Sequence, residues 1–145
     1  YRSQGNNTIV PMHRAALSVA KTLKNGGTVA MLVDQSASSK DLFVEFFGRH
    51  AATYRTPAEL ALRFGAPIVT GYAFRNDQGT YDVRLTEIDF SDLEFSREGI
   101  EELTRRHVKQ LEDVIRQRPE LWSWQHKRWK YTPPDEIPYH AKTED

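Results

Sequence analysis

The chain contains no cysteine. That absence removes disulfide frameworks, cysteine-based zinc sites and thiol catalysis together, and it fits a reducing compartment. Net charge is missing too, because 20 Lys and Arg offset 20 Asp and Glu over 145 residues. No global field draws such a protein to nucleic acid, so any anion site must be a local patch and no nucleic-acid partner is expected. Runs of 18 or more apolar residues are lacking, and no basic-then-apolar signal peptide opens the chain. Nothing in it therefore reads as a membrane-spanning helix, while a peripheral membrane role stays open. Internal repeats and low-complexity segments are also missing. The length suits one domain with a real core. The first residue is Tyr1 rather than Met, and Tyr1-Arg2-Ser3-Gln4-Gly5 reads as the middle of a sequence, so a fragment or processed product is expected.

What the chain does have is concentrated near its end. All three tryptophans fall in Trp122-Ser-Trp124-Gln-His126-Lys127-Arg128-Trp129-Lys130. Trp combines a broad apolar face with one N–H donor, and Lys and Arg lay their stems on apolar surface while the charge stays wet. Such a run suits an apolar–anionic boundary. The competing reading is that the rings close a small core and the cations face solvent.

Apolar spacing organises the rest. Ala16, Leu17, Ala20 and Leu23 recur at helical intervals between residues 14 and 24, and Asn25-Gly26-Gly27 supplies the stop. Residues 28–33 form a continuous apolar run bounded by Gly and Asp, the pattern of a strand buried on both faces. A polar loop spans residues 36–41, and a short apolar stretch from Leu42 to Phe47 ends at Gly48. Thr56-Pro57-Ala58-Glu59 predicts a helix start with Thr56 as cap, Pro57 at the first turn and Glu59 closing a capping box; the helix should stop at Gly65. Residues 67–74 and 80–88 read as an antiparallel hairpin around Asn76-Asp77-Gln78-Gly79. Beyond an acidic loop, Ile100, Leu103, His107, Leu111, Val114 and Ile115 mark one face of a long helix that ends before Pro119. This order predicts an α/β fold with a mixed sheet flanked by helices, residues 29–33 and 67–74 being linked by a right-handed crossover if they are parallel neighbours. The tail over residues 132–145 is proline-containing and charged, and is expected to be poorly ordered.

Asp34 is the leading functional candidate, since ligands of open α/β sheets collect outside the carboxyl ends of strands. Asp equally well caps a turn through the following backbone amides. His107 and Glu112 match a His-X4-Asp/Glu spacing, yet residues five apart on a helix diverge by about 140° at roughly 100° per residue, so they should face different sides. His140 and Asp145 share the spacing within the tail, where nothing holds them in productive geometry. His13 and His50 lack carboxylates at metal-ligand spacing, and no metal or cofactor is expected. Ser36, Ser38 and Ser39 lack the frame of a nucleophile elbow, and Gly26-Gly27 lies between helix and strand, the wrong context for a phosphate loop.

Five stretches in order resemble one family: Val33-Asp34-Gln35; Phe43-Val44-Glu45-Phe46-Phe47-Gly48 with Ala52-Thr53; Pro57-Ala58-Glu59-Leu60-Ala61; Gly65-Ala66-Pro67-Ile68-Val69; and the ending that runs from Leu111-Glu112-Asp113 through Pro119-Glu120 to the tryptophan–His–Arg–Trp signature. These resemble the bacterial lipid A biosynthesis acyltransferases of the lauroyl/myristoyl type, over nearly everything from Arg2 to Pro133. The resemblance implies a glycerolipid-acyltransferase-like fold, with residues 1–131 as the C-terminal part of a single acyltransferase domain. It implies transfer of a fatty acyl group from acyl carrier protein to a hydroxyl of a lipid A precursor, at the cytoplasmic face of the inner membrane and in contact with the membrane surface.

The family carries its His-X4-Asp/Glu dyad upstream of the Asp-Gln segment, where the His acts as general base on the acceptor hydroxyl and donors stabilise the oxyanion. That dyad does not occur upstream of Asp34 here, so the chain by itself is expected to be inactive, with no catalytic residue in it. The matching residues look like acceptor-side elements. Arg2 is similar to the family's second-block arginine, suited to a phosphate on the acceptor. Asp34 and Gln35 match the third block, where a carboxylate orients sugar hydroxyls. Pro67 matches the fourth and shapes the start of its strand. His126, Arg128 and Lys130 are placed to meet phosphate or headgroups, with Trp122 and Trp124 assigned a structural role. Two other readings stay open, a related acyltransferase with another phospho- or glycolipid acceptor and a noncatalytic module that binds anionic lipid.

Overall fold

A computed structural model describes residues 7–11 and 15–134. The chain divides into two compact units, residues 1–31 and residues 32–145. In the first, helix α1 covers Ala15–Lys24 and ends as its sequence predicts, with the Gly26 backbone at φ 71° and the Gly27 N–H donating back to the Thr22 carbonyl at 2.9 Å. Within its unit the helix buries no residue, and Leu17 is 86% exposed.

The second unit is built on two antiparallel pairs. β1 (Leu42–Phe46) pairs with β2 (Arg49–Thr53), and β3 (Ile68–Arg75) pairs with β4 (Tyr81–Ile88). Helices α2 (Thr56–Phe64) and α3 (Arg97–Gln117) complete it, followed by one 3-10 turn at Pro119–Leu121. The class is α/β, but two separate two-stranded sheets replace the expected mixed sheet among the described residues. Residues 28–33 form no strand, and Leu32 is 88% exposed. A continuous apolar run becomes a buried strand only where neighbours take up its backbone N–H and C=O groups, and no described segment pairs with this one. The expected crossover between residues 29–33 and 67–74 is absent with it.

The apolar stretch ending at Gly48 proves to be half of a hairpin. Phe47 and Gly48 both have positive φ, 52° and 76°, the combination a two-residue loop needs to match strand twist. Phe47 is an unusual residue there, and its surroundings hold it. Its N–H donates to Glu112 Oε1 at 2.7 Å, its ring lies 4.8 Å from Phe46 and 6.2 Å from Trp124, and the Arg116 guanidinium sits over it at 4.7 Å.

α3 joins the pieces, lying against β1 and against α2. Its buried stripe is Leu103, Thr104, Val108, Leu111, Glu112 and Ile115; the expected face therefore holds at Leu103, Leu111 and Ile115, while Ile100, His107 and Val114 are only half-buried. One core cluster packs Val44, Phe46 and Ala51 against Val108, Leu111 and Ile115; a second packs Ala58, Ala61 and Ile88 against Leu103. Ser96 caps α3 by accepting the Gly99 N–H at 3.0 Å. At α2 the expected cap is wrong. Thr56 lies inside the helix, Arg55 occupies the capping position, and no side chain bonds there; Pro57 in the first turn and Gly65 at φ 61° after the last stand as expected. The β3–β4 loop also follows the sequence, with Asn76 Oδ1 accepting the N–H groups of Gln78 and Thr80. The inner face of that hairpin carries Ile68, Thr70 and Tyr72 toward α3, where Thr70 donates to Gln110, and the outer face leaves Val69, Val83 and Leu85 exposed.

Candidate functional site

Four of the sequence-predicted site residues lie near β2. Arg128 is the largest fully buried side chain, at 2% exposure. Its Nη1 donates to the Ala52 carbonyl at 2.6 Å, its Nη2 donates to Thr53 Oγ1 at 2.7 Å, and the guanidinium lies over the Phe46 ring at 5.1 Å. Thr53 passes its own hydroxyl proton to the Ala51 carbonyl at 2.9 Å. The Arg128 Nε is buried and has no partner. Burial draws the guanidinium pKa below its ordinary value, and the nearby Asp34 charge opposes that shift.

The loop carrying Asp34 and Gln35 is tied to this cluster by its backbone. The Ser36 N–H donates to His126 Nε2 at 3.0 Å, and the Ala37 N–H donates to the Ala52 carbonyl at 3.0 Å. The amides two and three residues beyond Asp34, which a turn cap would engage, are thus bonded elsewhere. Asp34 and Gln35 are exposed. Asp34 does not stand at the tip of a strand, so its position comes from these two backbone bonds.

His107 joins the group from α3. Burial lowers its pKa most, the Arg128 charge lowers it further, and Asp34 pulls the other way. Burial and the Arg128 guanidinium thus both favour the neutral imidazole, and Asp34 opposes them. Sequence reasoning tested His107 only against Glu112. That rejection stands, because Glu112 turns to the Phe47 N–H and to Arg116, which donates to it at 3.1 Å. The proximity of His107 to Asp34 and Arg128 depends on tertiary packing, which no local spacing encodes.

The tryptophan run divides its labour. Trp122 and Trp129 are half-buried on the first core cluster, with ring centroids 6.2 and 5.4 Å from Phe46, and Trp129 Nε1 donates to the Phe46 carbonyl at 3.2 Å. Trp124 donates through Nε1 to the Pro119 carbonyl at 2.7 Å yet stays 53% exposed. Lys127 and Lys130 are exposed, the latter over the Tyr131 ring. Arg2, His13, His140 and Asp145 lie outside the described residues, as does the tail beyond Pro134; Pro133 is buried.

The exposed Asp34 carboxylate and Gln35 amide suit polar recognition, with the buried Arg128 cation nearby. Among the described residues no group of three or more His, Asp or Glu could hold a metal ion, and no helix is long and apolar enough to cross a membrane. No curated protein matches the chain. The family model for bacterial lipid A biosynthesis acyltransferases matches residues 1–131, through the Asp34 loop, both hairpins, α3 and the tryptophan run. The chain belongs to the bacterial lipid A biosynthesis acyltransferase family, and its general role is that of an acyltransferase.

Proposed function

We propose that the protein moves a fatty acyl group from acyl carrier protein to a hydroxyl of a lipid A precursor, at the cytoplasmic face of the inner membrane, on a glycerolipid-acyltransferase-like fold. The observation that carries this reading is the convergence of the Asp34 loop with His126 and Arg128, far along the sequence, around β2 within a chain of this family. Asp34 and Gln35 orient the acceptor's sugar hydroxyls from the exposed loop. His126 fixes that loop through the Ser36 N–H. Arg128 supplies buried positive charge near Asp34, and Arg2 takes an acceptor phosphate through its planar fork.

General-base chemistry on the acceptor hydroxyl requires a His within hydrogen-bond reach of that proton. In this reading the base belongs to a His-X4-Asp/Glu motif upstream of Tyr1 in the gene product, and residues 1–145 alone carry out no transfer. Incubation of the whole gene product with acyl-loaded carrier protein and a lipid A precursor tests it by mass spectrometry of the lipid. One added acyl chain supports the proposal; transfer only to another phospho- or glycolipid supports the related acyltransferase instead.

The half-exposed Trp124 beside exposed Lys127 and Lys130 favours contact with an anionic membrane surface. Changing both lysines to Glu should weaken binding to vesicles rich in phosphatidylglycerol. Unchanged binding would remove the run from the membrane contact.

A further inference from the structure

We propose that a cleft beside the β1–β2 turn binds a phosphate ester. The cleft holds about 170 Å³, and Arg49, His50, Trp129, Tyr131, Thr132 and Pro133 are among its lining residues with Gly48. None of these residues belongs to the Asp34–His107–Arg128 group, and the inference does not rest on the acyl-transfer reading. Its volume is below that of pockets for drug-sized ligands, which start at roughly 300 Å³, and suits one small polar group.

The lining selects the charge of that group. Arg49 provides a planar fork able to donate to two oxygens at once, and it makes no ion pair among the described residues. Its guanidinium is laid over the Trp129 ring at 5.4 Å, which limits its freedom before any ligand arrives. Tyr131 and Thr132 add hydroxyl-bearing side chains to the same lining. Lys130 lies over the Tyr131 ring at 5.0 Å and adds positive field. Among the described residues no carboxylate lines the cleft. A tetrahedral oxyanion with several acceptor oxygens uses this set better than a planar carboxylate with two.

The turn fixes the geometry. Phe47 and Gly48 hold positive φ, and the Trp129 indole N–H is bonded to the Phe46 carbonyl, so Arg49 and Trp129 are anchored on the same hairpin. Glu45 pairs directly across from His50 in the strand register and shares its face, so it opposes anion binding and tunes it toward weak affinity.

Calorimetric titration of the 145-residue chain with inorganic phosphate, and in parallel with dihexanoyl phosphatidic acid below its micelle concentration, tests the proposal. Saturable one-site binding is expected. Arg49→Gln should weaken it at least tenfold and Tyr131→Phe severalfold, each with unchanged far-UV circular dichroism, while Arg63→Gln binds as the parent does. Phosphatidic acid binding at least tenfold tighter than phosphate marks a lipid headgroup as the source, and equal affinity marks the free anion. A parent chain that saturates with neither probe, or a folded Arg49→Gln or Tyr131→Phe pair that binds as tightly as the parent, overturns it.

Discussion

Ser36 donates its backbone N–H to the His126 Nε2 at 3.0 Å, closing a link across 90 positions of the chain. That bond joins the loop bearing Asp34 to the tryptophan run, and the Ala52 carbonyl reinforces it by accepting from both the Ala37 N–H and Arg128 Nη1. The two segments form one piece of architecture, with β2 between them.

Arg128 is therefore expected to matter to the fold before it matters to any ligand. Arg128→Ala removes two hydrogen bonds and the packing over Phe46, and should cost about 2–4 kcal/mol in urea unfolding. Arg128→Lys keeps a charge but cannot reach both acceptors with a planar fork, and should recover only part of the loss. Parent-like stability in both variants would show that the guanidinium holds nothing together.

Glu112 stabilises the β1–β2 turn from α3. Glu112→Ala leaves the Phe47 N–H without its acceptor at a backbone position of positive φ, and should cost about 1–3 kcal/mol. Glu112→Gln retains an acceptor oxygen and should cost less. The comparison is read from the midpoints of denaturant curves.

Gly99 tests the capped start of α3. A Cβ there would overlap the Glu94 carbonyl oxygen, a backbone atom that cannot swing away. Gly99→Ala should destabilise by about 1–3 kcal/mol through overpacking, against the smaller gain alanine normally brings to a helix. A higher melting temperature in this variant would contradict the geometry.

His107 gives a pH dependence of definite sign. Its folded pKa lies below the unfolded value, so between the two the unfolded chain binds more protons and stability rises with pH. The contribution is complete above the unfolded imidazole pKa, near 6.5, and is lost as pH falls below it. Asp34 and Arg128 both act on this group, and Arg128 reinforces the burial that keeps it neutral. His107→Gln should flatten the loss of stability as pH falls below the unfolded imidazole range; an unchanged slope would place the titration elsewhere.

Sequence pattern carried the elements whose signals are local. The Asn76 turn follows from a side chain acting on its own backbone, the Gly65 stop from a backbone free to adopt positive φ, and the α3 stripe at Leu103, Leu111 and Ile115 from helical spacing of apolar residues. β2 was not legible, because Arg49-His50-Ala51-Ala52-Thr53 has neither alternation nor β-branched bulk before its last residue. Its one usable signal was Phe47-Gly48 as a two-residue hairpin loop. Residues 28–33 failed in the opposite way, with a strand-like composition and no partner for the backbone. At the site, Asp34, His126 and Arg128 were visible as residue types, but the interior position of Arg128 and the approach of His107 arise from packing around β2.

The central claim is that the exposed carboxylate of Asp34, set before Arg128, engages the acceptor. Its most direct test is acyl transfer by the whole gene product carrying Asp34→Ala, assayed with acyl carrier protein and a lipid A precursor. The account predicts kcat/KM lower by at least about 100-fold, some 2.7 kcal/mol of lost transition-state stabilisation, with an unchanged melting temperature. Near-parent turnover in a folded Asp34→Ala enzyme would contradict it.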